Sequence, residues 1–447
     1  MTVTTEDPPV SGARRLAAFA GSLLPLPAGP PAPRGRTATG YALAFVGALG
    51  FLLLYPAGRA RLDHLWAEDG ARFLLDAVTR PAWSNLVAPY GGYLHALPRL
   101  VAEPVALLPL EWAAAGFAVS AAVLRVAVAL ITFAASGAYL RWVPLRFALA
   151  ALVVVLPAGN SEPVNNMTNL HWFLLYGMFW ALLWRNAPRV PLALFAFLAA
   201  LSSPLGLLLV PVALLRLALP RKEVPIAFLV GALVQGVVML FAERTPYSHD
   251  AVDPVQVALA SVLRVPVVAF TGSEQVARIY PGQGNLPVLA ALVAAAVPIA
   301  AGLWWGDRAG RLVAVLGAAL SAIVIVVSLT ANWAAVLQVQ QPDVVLAGQR
   351  YSIAPCLFLF TAMAVGLASV PARRWQHLGV VAARSVIAFV VLVSVSQHLR
   401  DPAVVLTGVP WGDSVARARA QCAAGGPVGR LDHEPVTWFF ELPCRHL

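Results

Sequence analysis

Residues 41–77 read YALAFVGALGFLLLYPAGRARLDHLWAEDGARFLLDA. The first half is an apolar run long enough to cross a hydrocarbon core of about 30 Å as a helix. The second half carries two adjacent carboxylates, Glu68 and Asp69, in a chain whose apolar segments hold almost no acid. Charge at bilayer depth is costly unless it serves a cavity or a partner. An acid pair just past a span therefore points to chemistry at a membrane surface.

The rest of the composition agrees with that opening. The chain has 447 residues, 60% hydrophobic and 12% charged, with a mean hydropathy of +0.76. That balance excludes a soluble domain of this length. Strand-period alternation is missing, which argues against a β-barrel. Net charge is +10, and Lys222 is the only lysine among the 31 basic residues. The arginines are scattered between apolar runs, so they fit topology and anionic headgroups rather than nucleic acid.

Hydropathy places spans at 39–57, 113–140, 146–158, 170–184, 189–202, 204–219, 225–242, 285–305, 312–331, 351–370 and 381–397, about 11 in all. Residues 58–112, 243–284 and 332–350 read as long loops. Residues 1–38, rich in Pro, Ala and Arg, read as a disordered cytoplasmic arm without a cleavable signal peptide. Residues 39–397 form the membrane domain, and 398–447 a small extracytoplasmic tail. Arginine clusters such as Arg141 with Arg146, and Arg373 with Arg374, fall on one side and set the amino end inside. The segment 92–110 suits a juxtamembrane helix better than a crossing, because Pro98, Pro104 and its titratable groups favour an interface. In the tail, DSVARARAQC reads as a helix capped by Asp413, and VTWFFEL as a strand. Cys422 and Cys444 either close a disulfide there or stand as two free thiols. Cys356 reads as inert filler in an apolar helix.

Four constellations carry candidate chemistry. If 66–78 is helical, Glu68, Arg72 and Asp76 share one face, which leaves Asp69 as the acid free to meet a substrate. A carboxylate there can take a proton from a sugar hydroxyl or hold a divalent cation against phosphate; such acids also favour a helix start. In PYGGYLHALPRLVAEP, residues 89–104, His95, Arg99 and Glu103 fall at four-residue intervals, giving a cationic His–Arg edge for a lipid phosphate or else a snorkelling surface helix. Tyr90 and Tyr93 read as interfacial anchors. In NSEPVNNMTNLHW, residues 160–172, Asn165, Asn166, Asn169 and His171 suit a hydroxyl-rich ligand, although Asn also supplies turn chemistry. Arg350 and Tyr351 stand at the lip of a span, where Arg350 either clamps a phosphate or is a topology exception. Arg125, in mid-span, reaches a site, a wet cavity or a carbonyl. His249 and Asp250 form a weaker pair. No phosphate loop, nucleotide fingerprint or HExxH motif is present.

The order of these features resembles the GT-C superfamily of polytopic membrane glycosyltransferases. The resemblance is carried by one span followed by AEDG (67–70), then GYLHALPRL (92–100), the loop from Pro157 to Pro163 around Glu162, and the hairpin at Ser203–Pro204. It implies a GT-C-like, all-α membrane fold with juxtamembrane helices in the first outer loop. It also implies an inverting transferase that uses a polyprenyl-phosphate sugar as donor and an envelope glycan or lipid as acceptor. Asp69 or Glu68 would be the catalytic acid. Arg99, His95 and Arg350 would hold the donor phosphate, and Asn166, Asn169, His171 and Tyr351 would face the acceptor or sugar. The family's second-loop acid has no clear counterpart, with Asp250 or Glu162 as substitutes, so dependence on a divalent cation stays open. The expected location is the plasma membrane, with the carboxyl end outside. A lipid or polysaccharide transporter, or a polysaccharide polymerase or ligase, is the alternative.

Overall fold

The computed structural model describes residues 12–27, 34–158, 162–243, 252–332, 348–370, 390, 392–396, 398–399 and 408–447. Among them, seven helices are long and apolar enough to cross a membrane: Thr37–Leu54, Leu110–Ser136, Glu223–Phe241, Pro254–Thr271, Leu286–Trp305, Arg308–Ala331 and Gln349–Ser369. The chain is an all-α membrane protein with several such helices and little sheet. The apolar segments at Val143–Val154, Leu170–Leu183, Arg189–Ala200 and Pro204–Leu217 also form helices, but shorter ones. Most of the expected span 381–397, the loop 332–350 save its two ends, and His249 and Asp250 lie outside the described residues.

Two expectations change. The segment 243–284, read as a loop, contains the apolar helix Pro254–Thr271 followed by the helix Ser273–Gln283. Arg264 and Pro266 interrupt its hydropathy, yet Arg264 is buried and its Nη1 donates to the Gly348 carbonyl (3.2 Å). The arm 1–38, read as disordered, holds the helix Gly12–Leu23, with Ala20 and Leu24 fully buried. The Leu24 carbonyl accepts a bond from Arg185 Nη1 (2.9 Å), which ties the arm to the end of Leu170–Leu183.

Leu170–Leu183 is apolar all round, and every residue except His171 is buried. A helix of that kind belongs at the centre of a bundle. Tyr176 Oη meets Thr361 Oγ1 (2.8 Å) on the helix Ile353–Ser369. That helix approaches its neighbours through small residues, as packing in lipid favours. A Cβ placed on Gly366 would stand 1.8 Å from the Pro298 carbonyl oxygen. Arg125 settles on carbonyls: Nε donates to Val153 O (2.7 Å) and Nη2 to Val154 O (3.0 Å), where the helix Val143–Val154 ends. As last-turn carbonyls they have no partner within their own helix.

The first long loop folds into short helices at Pro56–Ala60, 67–79, Ala82–Leu86 and Ala96–Ala106. Ala96–Ala106 is too short to cross, as its prolines led us to expect. The Leu97 amide donates to Ser202 Oγ (2.9 Å), and Gln235 is bonded both ways to Leu94 (3.0 and 3.2 Å). The first loop is thereby fixed to the hairpin at 201–204 and to the helix Glu223–Phe241.

The tail is a compact unit. The helix Trp411–Ala423 is followed by β1 (Val428–His433) and β2 (Trp438–Pro443), paired antiparallel. Cys422 and Cys444 are bridged, with Cα atoms 5.6 Å apart. Asp413 lies inside the first helical turn rather than at its cap, because the helix begins two residues earlier.

We expect Gly366→Ala to lower the unfolding midpoint in detergent by the equivalent of about 3 kcal/mol or more. Gly236→Ala, where the nearest atom to the new Cβ is Leu207 Cδ2 at 3.9 Å, should be neutral or slightly stabilising. A scan of both variants by fluorescence-detected melting checks the contrast, and equal midpoints would refute the packing argument.

Candidate functional site

The segment carrying the acid pair enters its helix through Ala67, a non-glycine residue at φ 39°. The next turn, Asp69–Leu74, is wound wide as a π-type turn, which changes the side chains that share a face. As a result the two acids exchange their expected roles. Asp69 is 1% exposed. Its Oδ2 accepts the Met167 amide (2.9 Å), and its Oδ1 accepts the Thr168 amide (2.8 Å) and hydroxyl (2.7 Å). Asp69 therefore anchors the loop before Leu170–Leu183 and is not the acid free to meet a ligand. Burial pushes its pKa up to about 7, against the three hydrogen bonds from Thr168 and Met167 that favour the carboxylate; adjacent Glu68 adds to the rise.

Glu68 is half-buried and reachable. Its Oε1 lies 3.5 Å from Tyr90 Oη, and it is within electrostatic reach of Tyr93 and Arg350. Tyr90 and Tyr93 are not solely surface anchors. They enclose His95, with ring centroids at 5.7 and 4.1 Å. The His95 ring nitrogen Nε2 bonds the Tyr90 carbonyl (3.1 Å). Burial pushes the His95 pKa down to about 3, with the charge of His171 a smaller contribution in the same direction. The imidazole is neutral at pH 7, so the expected cationic His–Arg edge does not form.

Arg99 is turned away from this cluster. It is 1% exposed, and its Nη1 donates to Asp76 Oδ2 (2.9 Å) and to Asn85 Oδ1. Asn85 Nδ2 in turn donates to Glu103 Oε1 (2.6 Å). A buried arginine with that partner set holds the short helices of the first loop together.

Arg350 and Tyr351 join the acid pair from the far end of the chain. Arg350 Nη1 bonds Glu162 Oε1, its Nη2 donates to Tyr351 Oη (3.2 Å), and 39% of its side chain stays exposed. The Tyr351 ring meets Trp172 edge-on at 5.7 Å, and the Trp172 and His171 rings lie tilted to each other at 4.6 Å. His171 Nδ1 bonds the Thr168 carbonyl (2.8 Å), in the same turn that holds Asp69. Asn166 and Asn169 serve turn chemistry. Asn166 Nδ2 donates to the Glu162 carbonyl (2.7 Å), Asn166 Oδ1 accepts the Asn169 amide (2.9 Å), and Asn169 Nδ2 reaches the Glu162 carbonyl (3.3 Å). Their amides shape the loop that presents Glu162 instead of a ligand surface.

Glu68, Tyr90, His171, Glu162, Arg350 and Tyr351 thus form one polar cluster at the ends of apolar helices. Reading the sequence missed Thr168, Arg61, Arg264 and Glu434. Arg61 is buried with its guanidinium 4.0 Å from the Trp66 ring centroid. Arg264 stands within electrostatic reach of Glu162, Tyr351 and Arg350. Among the described residues, no group of three or more His, Cys, Asp and Glu is arranged to hold a metal ion. No protein-family model matches the chain, and neither characterised proteins nor solved structures yield a match.

Because the folded state raises the Asp69 pKa above its unfolded value, the native form binds the extra proton between about pH 4 and about pH 7, and stability falls as pH rises through that window. We expect Asp69 to contribute a falling slope to the melting midpoint between about pH 5 and about pH 8, opposed below about pH 6.5 by buried neutral His95, whose lowered pKa makes stability rise with pH. Asp69→Asn should flatten that slope and cost about 1–3 kcal/mol, because an amide cannot accept all three donors. Melting curves at fixed ionic strength test this, and an unchanged slope in the variant would refute it.

Proposed function

We propose that the chain is an inverting membrane glycosyltransferase of GT-C type. It moves a sugar from a polyprenyl-phosphate donor to an envelope glycan or lipid acceptor at the outer face of the plasma membrane. The observation that carries this reading is the meeting of Glu68, a reachable acid, with Arg350, a half-exposed guanidinium fixed by Glu162 and Tyr351. One supplies a proton acceptor and the other a cation for a leaving phosphate, at the rim of a bundle that a lipid-linked substrate can reach from the side.

In the reaction, Glu68 takes the proton of the acceptor hydroxyl. The oxygen attacks the anomeric carbon from the face opposite the phosphate. The bond between that carbon and the phosphate oxygen breaks, and its electron pair leaves with polyprenyl phosphate. Arg350 offsets the charge that develops there. Asp69 positions Glu68 by tying its helix to the loop at 167–168. The topology proposed with this function has about 11 crossings and a cytoplasmic amino end. The Cys422–Cys444 bridge supports placing the tail and the cluster outside, because disulfides persist in oxidising compartments and the tail is bonded to residues 63–67.

The test uses the full chain in liposomes with a radiolabelled polyprenyl-phosphate sugar and a glycan acceptor. Wild type should form the new glycosidic bond without moving the donor across the bilayer. Glu68→Gln should lower kcat by about 10²–10⁴-fold with an unchanged melting midpoint, and Arg350→Gln should lower kcat/KM for the donor. A Glu68→Gln variant at wild-type rate, or translocation of intact donor without transfer, would overturn the reading; the second result is the transporter outcome.

A further inference from the structure

The tail does not hang free of the membrane domain. The Glu434 amide donates to the Leu65 carbonyl (3.0 Å), and the Glu434 carbonyl accepts the Ala67 amide, so that Trp66 and Glu434 form a parallel β-bridge. The Trp411 amide donates to the Asp63 carbonyl (2.7 Å), and its indole Nε1 to the Leu110 carbonyl (2.7 Å). Arg419 pairs with Glu111. Gly70 lies directly under the hairpin: a Cβ there would stand 3.2 Å from Phe440 Cε1 and 3.3 Å from His433 Cδ2.

The contact falls on a strained stretch of backbone. Ala67 sits in the left-handed region, where its Cβ crowds the following carbonyl, and its amide is the one the Glu434 carbonyl holds. Glu68 and Asp69 follow immediately. Beneath them, the side chains of Arg61 and Glu434 are each 2% exposed. Arg61 is within electrostatic reach of Glu434, Asp69 and Glu162. Glu434 Oε1 also accepts the Gly408 amide (2.7 Å) at the root of the tail.

We propose that Glu434 and Arg61 are positioning residues of the site: the tail completes the acid pair by holding the strained turn at Ala67 and by setting the balance of charge under Asp69. Glu68 on its own helix and Arg61 from the preceding turn are within electrostatic reach of Asp69, Glu434 from the tail and Glu162 act on Arg61, and His433 lies over the adjacent Gly70. Removing the tail's carboxylate leaves Arg61 to draw Asp69 toward its ionised form. Removing Arg61 leaves Asp69 among acids and drives it toward its protonated form. The two changes therefore act in opposite directions, which simple loosening of the fold cannot do.

This inference rests on the proposed transferase reading for its catalytic half only, and the experiment separates the two. The full chain in lipid vesicles is treated with dicyclohexylcarbodiimide, which labels protonated carboxyls in apolar surroundings, and the labelling of Asp69 is followed against pH. Glu434→Gln should move the labelling midpoint down by about one pH unit and Arg61→Gln should move it up by about as much. Glu434→Asp and Arg61→Lys, which keep the charges, should stay near wild type and serve where the neutral variants fold poorly. In transfer assays the neutral variants should lose kcat by about tenfold or more, with donor KM within about twofold. Midpoints that stay put, or that move together, overturn the proposal. Opposite midpoint shifts in a chain that transfers no sugar would uphold the tail's role and sink the transferase reading.

Discussion

Three hydrogen bonds to one carboxylate tie this molecule together. Asp69 joins the first long loop to the turn before the buried helix Leu170–Leu183, and everything polar near that junction takes its position from it. Thr168 holds Asp69 and, through its carbonyl, orients His171. The same loop presents Glu162, which fixes Arg350. A buried carboxylate survives only when its acceptors are filled, so the anchor and the loop require one another.

The same rule governs the arginines. The bundle holds several of them out of water, and each has carbonyl or acid partners. Arg125 closes the open end of the helix Val143–Val154, and Arg146 donates twice to the Phe133 carbonyl. Arg216 reaches the carbonyls of Pro220, Arg185 and Arg221. In a medium without water, broken helices leave carbonyls that must be paired, and an arginine with five donors does this at several points at once. Much of the positive charge in the chain is thus structural, and Arg350 differs by keeping an exposed side.

Hydropathy located most of the long helices because the signal is local: an apolar run either spans or it does not. The acid pair and the short, proline-bearing helix around His95 were legible for the same reason, while the cysteine pair left a bridge and two free thiols both open until the fold brought them together. What failed was whatever depends on distant residues or on unusual winding. The wide turn at Asp69–Leu74 reversed the roles of Glu68 and Asp69, since spacing on paper assumes a regular helix. Arg264 disguised a helix as a loop because its charge is answered by Gly348, far along the chain. Arg99 looked like a ligand-facing cation, and only the fold shows Asp76 and Asn85 beside it. No local pattern could announce that Glu434 bonds to Leu65 and Ala67.

The docking of the hairpin on residues 63–67 also bears on biogenesis. The acid pair leaves the ribosome early, whereas Glu434, which braces it from between two strands flanked by Cys422 and Cys444, is synthesised hundreds of residues later. The junction can therefore form only after the intervening helices have been made, and the bridge beside it persists in an oxidising compartment. Maturation of this region is a late, compartment-dependent step, and a chain stalled before its tail would carry both acids on an unbraced turn.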